Sequence, residues 1–484
     1  MRQNEGRGAV PDVHWLSGTR LAALLALAAT LAVTLLWTGG VAAVGNDPNL
    51  QPIPDATGTF QTYTTNGSID TTNPFFQVLG TNGRTCATCH DRHDGWTITP
   101  TGVQARFNAT GGLDPLFRPN DGANSPNADV STVRARRAAY SMLLTKGLIR
   151  ITLSPPQGAE FAVAAVDDPY NYGAPDHLSL FRRPLPATNL PFLSAVMWDG
   201  RETLQQITNA NPQALQTDLM HQAMDATLGH AQAAITPSAR QLQQIVSFET
   251  GLFTAQRSDN AAGQLHAQGA SAGALNLSNQ PFYIGINDPL GLNPTGTPFT
   301  PDAMTLYDAW ASLKSSTANP STASRQSVAR GEAIFDRKPI SITGVGGLND
   351  VLGQPVIVGT CTTCHDTPNV GNHSVAAPLN IGTADYPARP GLDEQGLPVY
   401  TLRCTATGAL VHTTDPGRAM VTGKCADIGK VKGPILRALV ARAPYFHNGS
   451  ATTLDDVVTF YDNRFNIGFT PQEKADLVAF LRSL

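Results

Sequence analysis

The sequence predicts a mainly α protein in which two similar domains carry loop-rich insertions. One pattern, C-x-x-C-H, occurs twice, as CATCH at 86–90 and as CTTCH at 361–365. Apolar residues recur at helical spacing in ARQLQQIVSFETGLFTAQ (239–256), RQSVARGEAIFDRK (325–338) and TPQEKADLVAFLRSL (470–484). The 44 Gly and 35 Pro indicate many loops. A length of 484 residues favours two domains over one.

Each C-x-x-C-H pattern is typical of covalent haem c attachment. The two thiols add to the vinyl groups of the macrocycle, and the adjacent histidine becomes the proximal iron ligand. A zinc ribbon would separate its cysteine pairs by about 15–20 residues, far less than the separation here. We therefore predict two covalently bound haem c groups. The attachment residues are Cys86, Cys89 and His90 for the first haem and Cys361, Cys364 and His365 for the second.

The fold class is thus two cytochrome c-like haem domains with loop-rich insertions. We place the N-terminal haem domain, with its insertion, at 45–265, a linker region at 266–300 and the C-terminal haem domain at 301–484. The Gly/Ala/Asn-rich stretch at 258–282 marks the passage between the domains. The last helix begins with Thr470 as N-cap and Glu473 completing a capping box. This helix is expected to cross the helix that precedes the second haem motif.

Residues 1–44 predict export. Arginines precede the apolar run LAALLALAATLAVTLLW at 21–37, and small residues follow it. The run is either a signal that is cleaved near Ala43 or a retained anchor in the inner membrane. Both alternatives predict a periplasmic protein that contacts a membrane only if the segment is retained. A net charge of −4 without a Lys/Arg run argues against nucleic acid as a partner.

Two cysteines remain outside the haem motifs, Cys404 and Cys425. In an oxidising compartment they are expected to pair with each other. On the chain-entropy model such a bridge stabilises the fold by about 3 kcal/mol.

Two longer motifs add a family resemblance. VMWDGRETL (196–204) follows the first haem motif, and KGPILRALVARAPYFHNGSATTLDDVVTFYDN (432–463) follows the second. Together with the paired C-x-x-C-H sequences they resemble the bacterial di-haem cytochrome c peroxidase and MauG family. The resemblance covers most of the chain after residue 70, with 96–180 as an insertion.

The resemblance implies a haem-dependent peroxidase. A MauG-like enzyme reacts with hydrogen peroxide at the N-terminal haem and shares the oxidising equivalents with the C-terminal haem. It then oxidises an external substrate, which for MauG-like enzymes is a protein. Two alternatives stay open: a conventional cytochrome c peroxidase that draws electrons from a small redox protein, and a di-haem electron carrier without catalysis.

The resemblance also implies roles for individual residues. Trp198 corresponds to the tryptophan between the two haems, and His447 to a histidine near the inter-haem region. A peroxidase further needs an acid/base group above the open iron. The family uses a glutamate after W-D-G-R, for which Asp225 is the nearest counterpart here, with Asp218 and His230 as rivals.

Two arguments disagree on the distal ligand of the second haem. Met420 lies 55 residues after His365, a spacing common in small cytochromes. The family instead places this ligand on the helix after PYFHNG, where MauG carries tyrosine, and the matching residue here is Tyr461. Thr453 can cap that helix, and Leu454, Val457, Val458 and Tyr461 then share one face.

Two departures from the family concern calcium and the first haem. The positions of the family's calcium ligands fall on Arg183 and Arg442, and two cations argue against calcium. The histidine that caps the first haem in conventional peroxidases falls on Pro175, with His177 close by. We therefore expect the first haem to be open.

Overall fold

The computed structural model describes residue 1 and residues 46–205, 211, 213–314 and 320–484. Asn46–Leu484 form one compact unit. The predicted export segment at 21–37 and the cleavage position near Ala43 lie outside the described residues. Within those ranges, no helix is both long enough and apolar enough to span a bilayer.

The helices vary from one turn to almost five. Those of the described ranges are α1 (Pro100–Thr110), α2 (Val133–Ala139), α3 (Ser141–Lys146), α4 (Ala214–Gly229), α5 (Ala239–Thr250), α6 (Ala274–Ser278), α7 (Asp308–Ala311), α8 (Ser321–Arg337), α9 (Asn349–Leu352), α10 (Ala419–Thr422), α11 (Leu454–Phe465) and α12 (Pro471–Arg482).

Short antiparallel strands lie between these helices in the chain. They are β1 (Asn46–Pro48), β2 (Ile53–Pro54), β3 (Gly58–Thr64), β4 (Ser68–Asp70), β5 (Ile149–Leu153), β6 (Phe161–Asp167), β7 (Leu178–Arg182), β8 (Leu252–Asp259), β9 (Gly263–Gln264), β10 (Ile340–Thr343), β11 (Val356–Gly359), β12 (Val399–Cys404) and β13 (Leu410–Thr413). The larger sheets have the orders β2-β3-β8-β9 and β13-β12-β6, and β1-β4, β5-β7 and β10-β11 are two-stranded.

Helix makes up 31% and strand 17% of the structure, so the prediction of a mainly α fold is not confirmed. The segment 239–256 illustrates the difference. Its helix ends at Thr250, and Leu252–Asp259 continue as β8, which pairs with β3. Gly251 separates the two elements, and the aromatic and β-branched residues after it suit a strand.

The C-terminal half is built on the crossing of α8 and α12. Leu477, Val478 and Leu481 of α12 are buried against Phe335 of α8 in one core. The helices approach closely because Gly331 has no side chain at the crossing point, where it lies against the backbone of α12. The predicted packing of the last helix across the helix before the second haem motif is therefore confirmed.

The predicted cap of α12 is also confirmed. The Glu473 N–H donates to Thr470 Oγ1 (3.2 Å), and the Thr470 N–H donates to Glu473 Oε2 (2.8 Å). Capping in both directions satisfies backbone donors that the first helical turn leaves without partners.

An accessory sheet joins residues from distant parts of the chain. β6 belongs to the insertion at 96–180, and it pairs with β12, which follows the second haem motif. A disulfide joins Cys404, at the end of β12, to Cys425 across a Cα–Cα distance of 5.9 Å. The division into domains at 45–265 and 301–484 stays a prediction, because these contacts join both halves.

We expect Gly331→Ala to destabilise the protein by about 1–3 kcal/mol, since overpacking forces helices apart. The added Cβ would collide with the Asp476 backbone oxygen and lie 2.7 Å from Phe480 Cβ. Thermal unfolding followed by circular dichroism measures the effect. Gly229→Ala is the matched control, because a Cβ at this helical glycine meets no atom within 4 Å. Equal melting temperatures for the two variants would contradict the tight crossing.

Candidate active site

The first C-x-x-C-H sequence forms part of the wall of a large cavity. Cys86–Thr88 form a 3-10 turn, which is fastened by a hydrogen bond from the Thr85 N–H to Thr88 Oγ1 (2.9 Å). Both thiols of the motif and the imidazole of His90 line the cavity. It encloses about 1420 Å³, including its opening.

The second motif repeats this arrangement. Cys361–Thr363 form a 3-10 turn, with a hydrogen bond from the Thr360 N–H to Thr363 Oγ1 (3.0 Å). Both thiols and His365 line a second cavity, which also encloses about 1420 Å³ with its opening.

A backbone carbonyl orients each of the two histidines. His90 Nδ1 lies 3.1 Å from the Trp96 oxygen, and His365 Nδ1 lies 2.7 Å from the Gly371 oxygen, six residues further along in both cases. An Nδ1–H donor leaves Nε2 as the ligand nitrogen, as metal-bound imidazoles require. Burial lowers the pKa of His90 to about 4 and also lowers that of His365, so both rings are neutral.

These features fit covalent haem c at both cavities. None of the four motif cysteines is in a disulfide. Each cavity combines two thiols, one pre-oriented imidazole and an otherwise largely apolar wall.

Tyr461 lines the second cavity. The helix predicted after PYFHNG is α11, and Thr453 caps it by accepting from the Asp456 N–H (3.1 Å). All four residues of the predicted face, Leu454, Val457, Val458 and Tyr461, line this cavity. Burial raises the pKa of the Tyr461 phenol.

Met420, the rival ligand on spacing, lies elsewhere. It is buried on α10 in a cluster with Phe161, Tyr400 and Cys404, which belong to the accessory sheet. It is absent from the residues that line the second cavity within the described ranges. Tyr461 is therefore the better placed of the two candidate ligands.

Trp198 also lines the second cavity, while its neighbour Met197 lines the first. The indole N–H donates to the Arg183 backbone oxygen (2.8 Å). The centroids of the Trp198 and His447 rings lie 6.2 Å apart in an edge-to-face arrangement. The W-D-G-R loop thus presents consecutive residues to the two cavities.

Lys432 lines both cavities as well. Its backbone N–H donates to the Trp198 oxygen (2.8 Å), and its ammonium donates to the Ala195 oxygen (3.0 Å). Burial lowers the pKa of Lys432 to about 7. The positive charge at this shared wall therefore depends on pH near neutrality.

His447 is buried in the wall of the second cavity. Neither of its ring nitrogens makes a hydrogen bond with the described residues, and Nε2 lies 3.8 Å from Asp415 Oδ2. Burial lowers the pKa of His447 to about 4, so the ring is neutral. Its backbone oxygen accepts from the Arg183 N–H (2.6 Å), which ties it to the strand end before W-D-G-R.

Arg183 and Arg442, which the sequence resemblance matched to calcium-ligand positions, both donate to backbone carbonyls. Arg183 Nη1 donates to the Lys146 and Gly147 oxygens (3.1 and 3.2 Å), and Nη2 donates to the Arg442 oxygen (3.0 Å). A cation there would compete with arginine for carbonyl oxygens. His177 bonds to Asp176 and to the Tyr172 oxygen, and it does not line the first cavity.

The three acid/base candidates of α4 and its C-terminal end differ in placement. Asp225 is exposed, lies 3.9 Å from His221 Nδ1 and does not line the first cavity. Asp218 is buried and accepts from the Leu204 and Gln205 N–H groups. Only His230 of the three lines the cavity.

A buried carboxylate orients His230. Its Nδ1 lies 2.5 Å from Asp121 Oδ2, and the other Asp121 oxygen accepts from Arg84 Nη1 (2.5 Å). A carboxylate on one imidazole nitrogen fixes the ring and leaves the other nitrogen for proton transfer.

Glu249 is a candidate that the sequence analysis missed. It lines the first cavity from α5, and burial raises its pKa to about 8, so it holds a proton at neutral pH. One sequence signal was available. Glu249 is four residues after the buried Ile245, and therefore lies on the apolar face of the helix.

We expect Glu249→Gln to be more stable than the wild type by a margin that grows from pH 5 to pH 8. The folded-state pKa is raised above the unfolded value, so the wild type loses stability as pH rises through this window. Glutamine carries no such titration. Thermal unfolding at both pH values measures the difference, with the exposed Asp225→Asn as control. A margin independent of pH would contradict the buried, protonated state of Glu249.

Parts of the chain are similar in sequence to proteins that are named cytochrome c peroxidases. The chain is 34% identical over 140 residues to the cytochrome-c peroxidase IdrP2 of Denitromonas iodatirespirans, covering 26% of this chain and 36% of that protein. It is 42% identical over 69 residues to the cytochrome c551 peroxidase of Nitrosomonas europaea, covering 14% of this chain and 21% of that protein. No protein-family model matches the chain.

Among solved structures, a MauG-like protein associated with microbial copper homeostasis aligns with 93% of this chain and 95% of its own, at a TM-score of 0.38 and 14% identity. The chain spans 36% of the length of the first curated relative. Over the matched segments, the similarity to the cytochrome c peroxidases that the motifs predicted is confirmed.

Proposed function

We propose that this chain is a periplasmic di-haem c-type peroxidase of the MauG-like kind. It reacts with hydrogen peroxide at the N-terminal site, shares oxidising equivalents with the C-terminal site and oxidises an external substrate, with a protein as the MauG-like case. The observation that carries the proposal is the pair of cavities, each lined by its own C-x-x-C-H residues and joined by a common wall.

The residues that the sequence names would hold both haems. Haem iron supplies a peroxide-reactive centre and takes up and releases single electrons. Cys86 and Cys89 would bind the first macrocycle and His90 its iron. Cys361, Cys364 and His365 would do the same for the second. The hydrogen bonds from Nδ1 to the carbonyls keep both imidazoles in the ligand orientation.

At the first site, His230 and Glu249 supply the proton chemistry. Cleavage of the peroxide O–O bond needs a group that moves a proton from the near to the far oxygen. His230 lines the cavity and is oriented by Asp121. Glu249 is protonated at neutral pH and serves as a proton reserve. Asp225 is less suited because it is exposed outside the cavity.

At the second site, Tyr461 would supply its phenol oxygen to the haem iron. A phenolate ligand favours the ferric and more oxidised states, whereas methionine raises the reduction potential and suits an electron acceptor. The position of Tyr461 in the cavity wall and that of Met420 in the accessory sheet support the phenolate. This choice favours a MauG-like enzyme over a simple electron carrier.

A conventional cytochrome c peroxidase is the second candidate. The observation that favours it is the name of the curated relatives, which are cytochrome-c peroxidases. In that case a small redox protein delivers electrons to the second haem. A carrier without catalysis is the third candidate, and the polar groups around the first cavity argue against it.

Trp198→Phe should abolish shared oxidation after addition of hydrogen peroxide. Phenylalanine keeps an aromatic ring at the wall of the second cavity but loses the indole N–H that donates to the Arg183 oxygen. Stopped-flow absorbance measures how fast the second haem changes spectrum after peroxide reaches the first.

The control for Trp198→Phe is the haem content. The variant and the wild type should both return two haem c groups per chain in a pyridine haemochrome assay. A single haem per chain in the wild type would contradict the di-haem proposal. An unchanged rate of oxidation of the second haem in the variant would contradict the role of Trp198 as a bridge.

Tyr461→Met should raise the reduction potential of the second haem, because a neutral thioether replaces an anionic oxygen. Spectroelectrochemical titration measures the potential. Met420→Leu is the matched control and should leave the low-spin spectrum unchanged. If Met420→Leu alters that spectrum while Tyr461→Met does not, the electron-accepting peroxidase becomes the better assignment.

A further inference from the structure

We propose that Asp288, Asp366 and His373 form a binding site for a divalent cation of the zinc type. A carboxylate oxygen from each aspartate and a ring nitrogen of His373 all lie within 4.8 Å of one another. Asp288 belongs to the segment 266–300, while Asp366 and His373 follow the second haem motif. The site therefore joins two parts of the chain that are far apart in sequence.

The three side chains are buried, and several of their atoms lack a partner. Asp288, Asp366 and His373 are 1%, 0% and 3% exposed. Asp288 Oδ1 and both ring nitrogens of His373 make no hydrogen bond with the described residues. His373 Nδ1 faces Asp366 Oδ2 at 3.3 Å. Buried polar atoms rarely stay unpaired, so these atoms indicate a missing partner. His373 also lines the second cavity, whereas Asp288 does not, so Asp288 Oδ1 is the atom that points to an ion rather than to a group in that cavity.

The charge of the cluster points to a cation. Neither aspartate forms an ion pair with a lysine or arginine among the described residues, and the only basic group beside them is His373. A buried cluster of two carboxyl groups and one imidazole is stabilised by a positive charge at its centre. A divalent cation with two carboxylates and a neutral imidazole gives a net charge of zero.

The remaining contacts hold the ligands in place. Asp288 Oδ2 accepts from the Leu292 N–H (2.8 Å), which leaves Oδ1 for the ion. Asp366 accepts from the N–H of Ser374 (2.7 Å) at one oxygen and from its hydroxyl (2.9 Å) at the other. Such outer contacts orient ligating carboxylates in metal sites.

The donor set selects the kind of cation. Calcium and magnesium prefer shells made of oxygen, whereas an imidazole with carboxylates suits zinc and its neighbours. The site differs from the haem irons, whose proximal ligands are His90 and His365. Because Asp366 directly follows His365, an ion here would anchor the loop that carries the proximal ligand of the second haem.

Metal analysis of the full-length holoprotein tests the site. After chelator treatment and desalting, titration with ZnCl₂ should load about one Zn²⁺ per chain and raise the melting temperature. Inductively coupled plasma mass spectrometry counts zinc separately from haem iron. Asp288→Asn should lose this equivalent of zinc and keep both haem spectra, because asparagine can still accept from the Leu292 N–H.

Asp302→Asn is the matched control, since this exposed carboxylate pairs with Arg337 away from the cluster. It should bind zinc like the wild type. The wild-type titration alone decides the matter if Asp288→Asn fails to fold. Absence of stoichiometric zinc in the wild type, or unchanged zinc binding in a folded Asp288→Asn protein, would overturn the proposal.

Discussion

The ion pairs of Arg182 with Asp199 and Asp415 are the interaction on which the arrangement of the two cavities depends. All three side chains are buried, and the contacts measure 2.5 Å to Asp199 and 2.6 and 2.9 Å to Asp415. Burial by itself would lower the pKa of Arg182, but the two carboxylates raise it instead. Asp199 directly follows Trp198, so this network fixes the W-D-G-R loop against the segment before KGPILR. Removing one partner from such a buried network costs about 3–5 kcal/mol.

The two cavities are built from the same backbone features but differ in the side chains that line them. Both use the same 3-10 turn, the same threonine hydrogen bond and the same carbonyl six residues after the histidine. The first cavity adds His230 and Glu249, which are titratable groups suited to proton transfer. The second adds Tyr461 among apolar residues of α11, together with the buried, neutral His447. This asymmetry supports the proposal that peroxide reacts at the first site and that the second holds oxidising equivalents.

The two cavities share a wall. Met197 and Trp198 face different cavities although they are adjacent in sequence, and Lys432 faces both. Since the pKa of Lys432 is about 7, the charge at this wall changes over the neutral range. Outside the cavities, β6 and β12 of the accessory sheet join the insertion to the C-terminal half.

The sequence by itself determined the local features. It identified the haem motifs, the cap of α12, the helix that carries Tyr461 and the two cysteines that form the disulfide, because each depends on residue types at short spacing. The tertiary structure decided the strand pairing and which side chains line each cavity. The strands of the insertions were missed because pairing partners such as β6 and β12 are more than 200 residues apart. Glu249 rather than Asp225 faces the first cavity because burial depends on which helix face packs inward, and one sequence cannot determine which helix a distant cavity will contact.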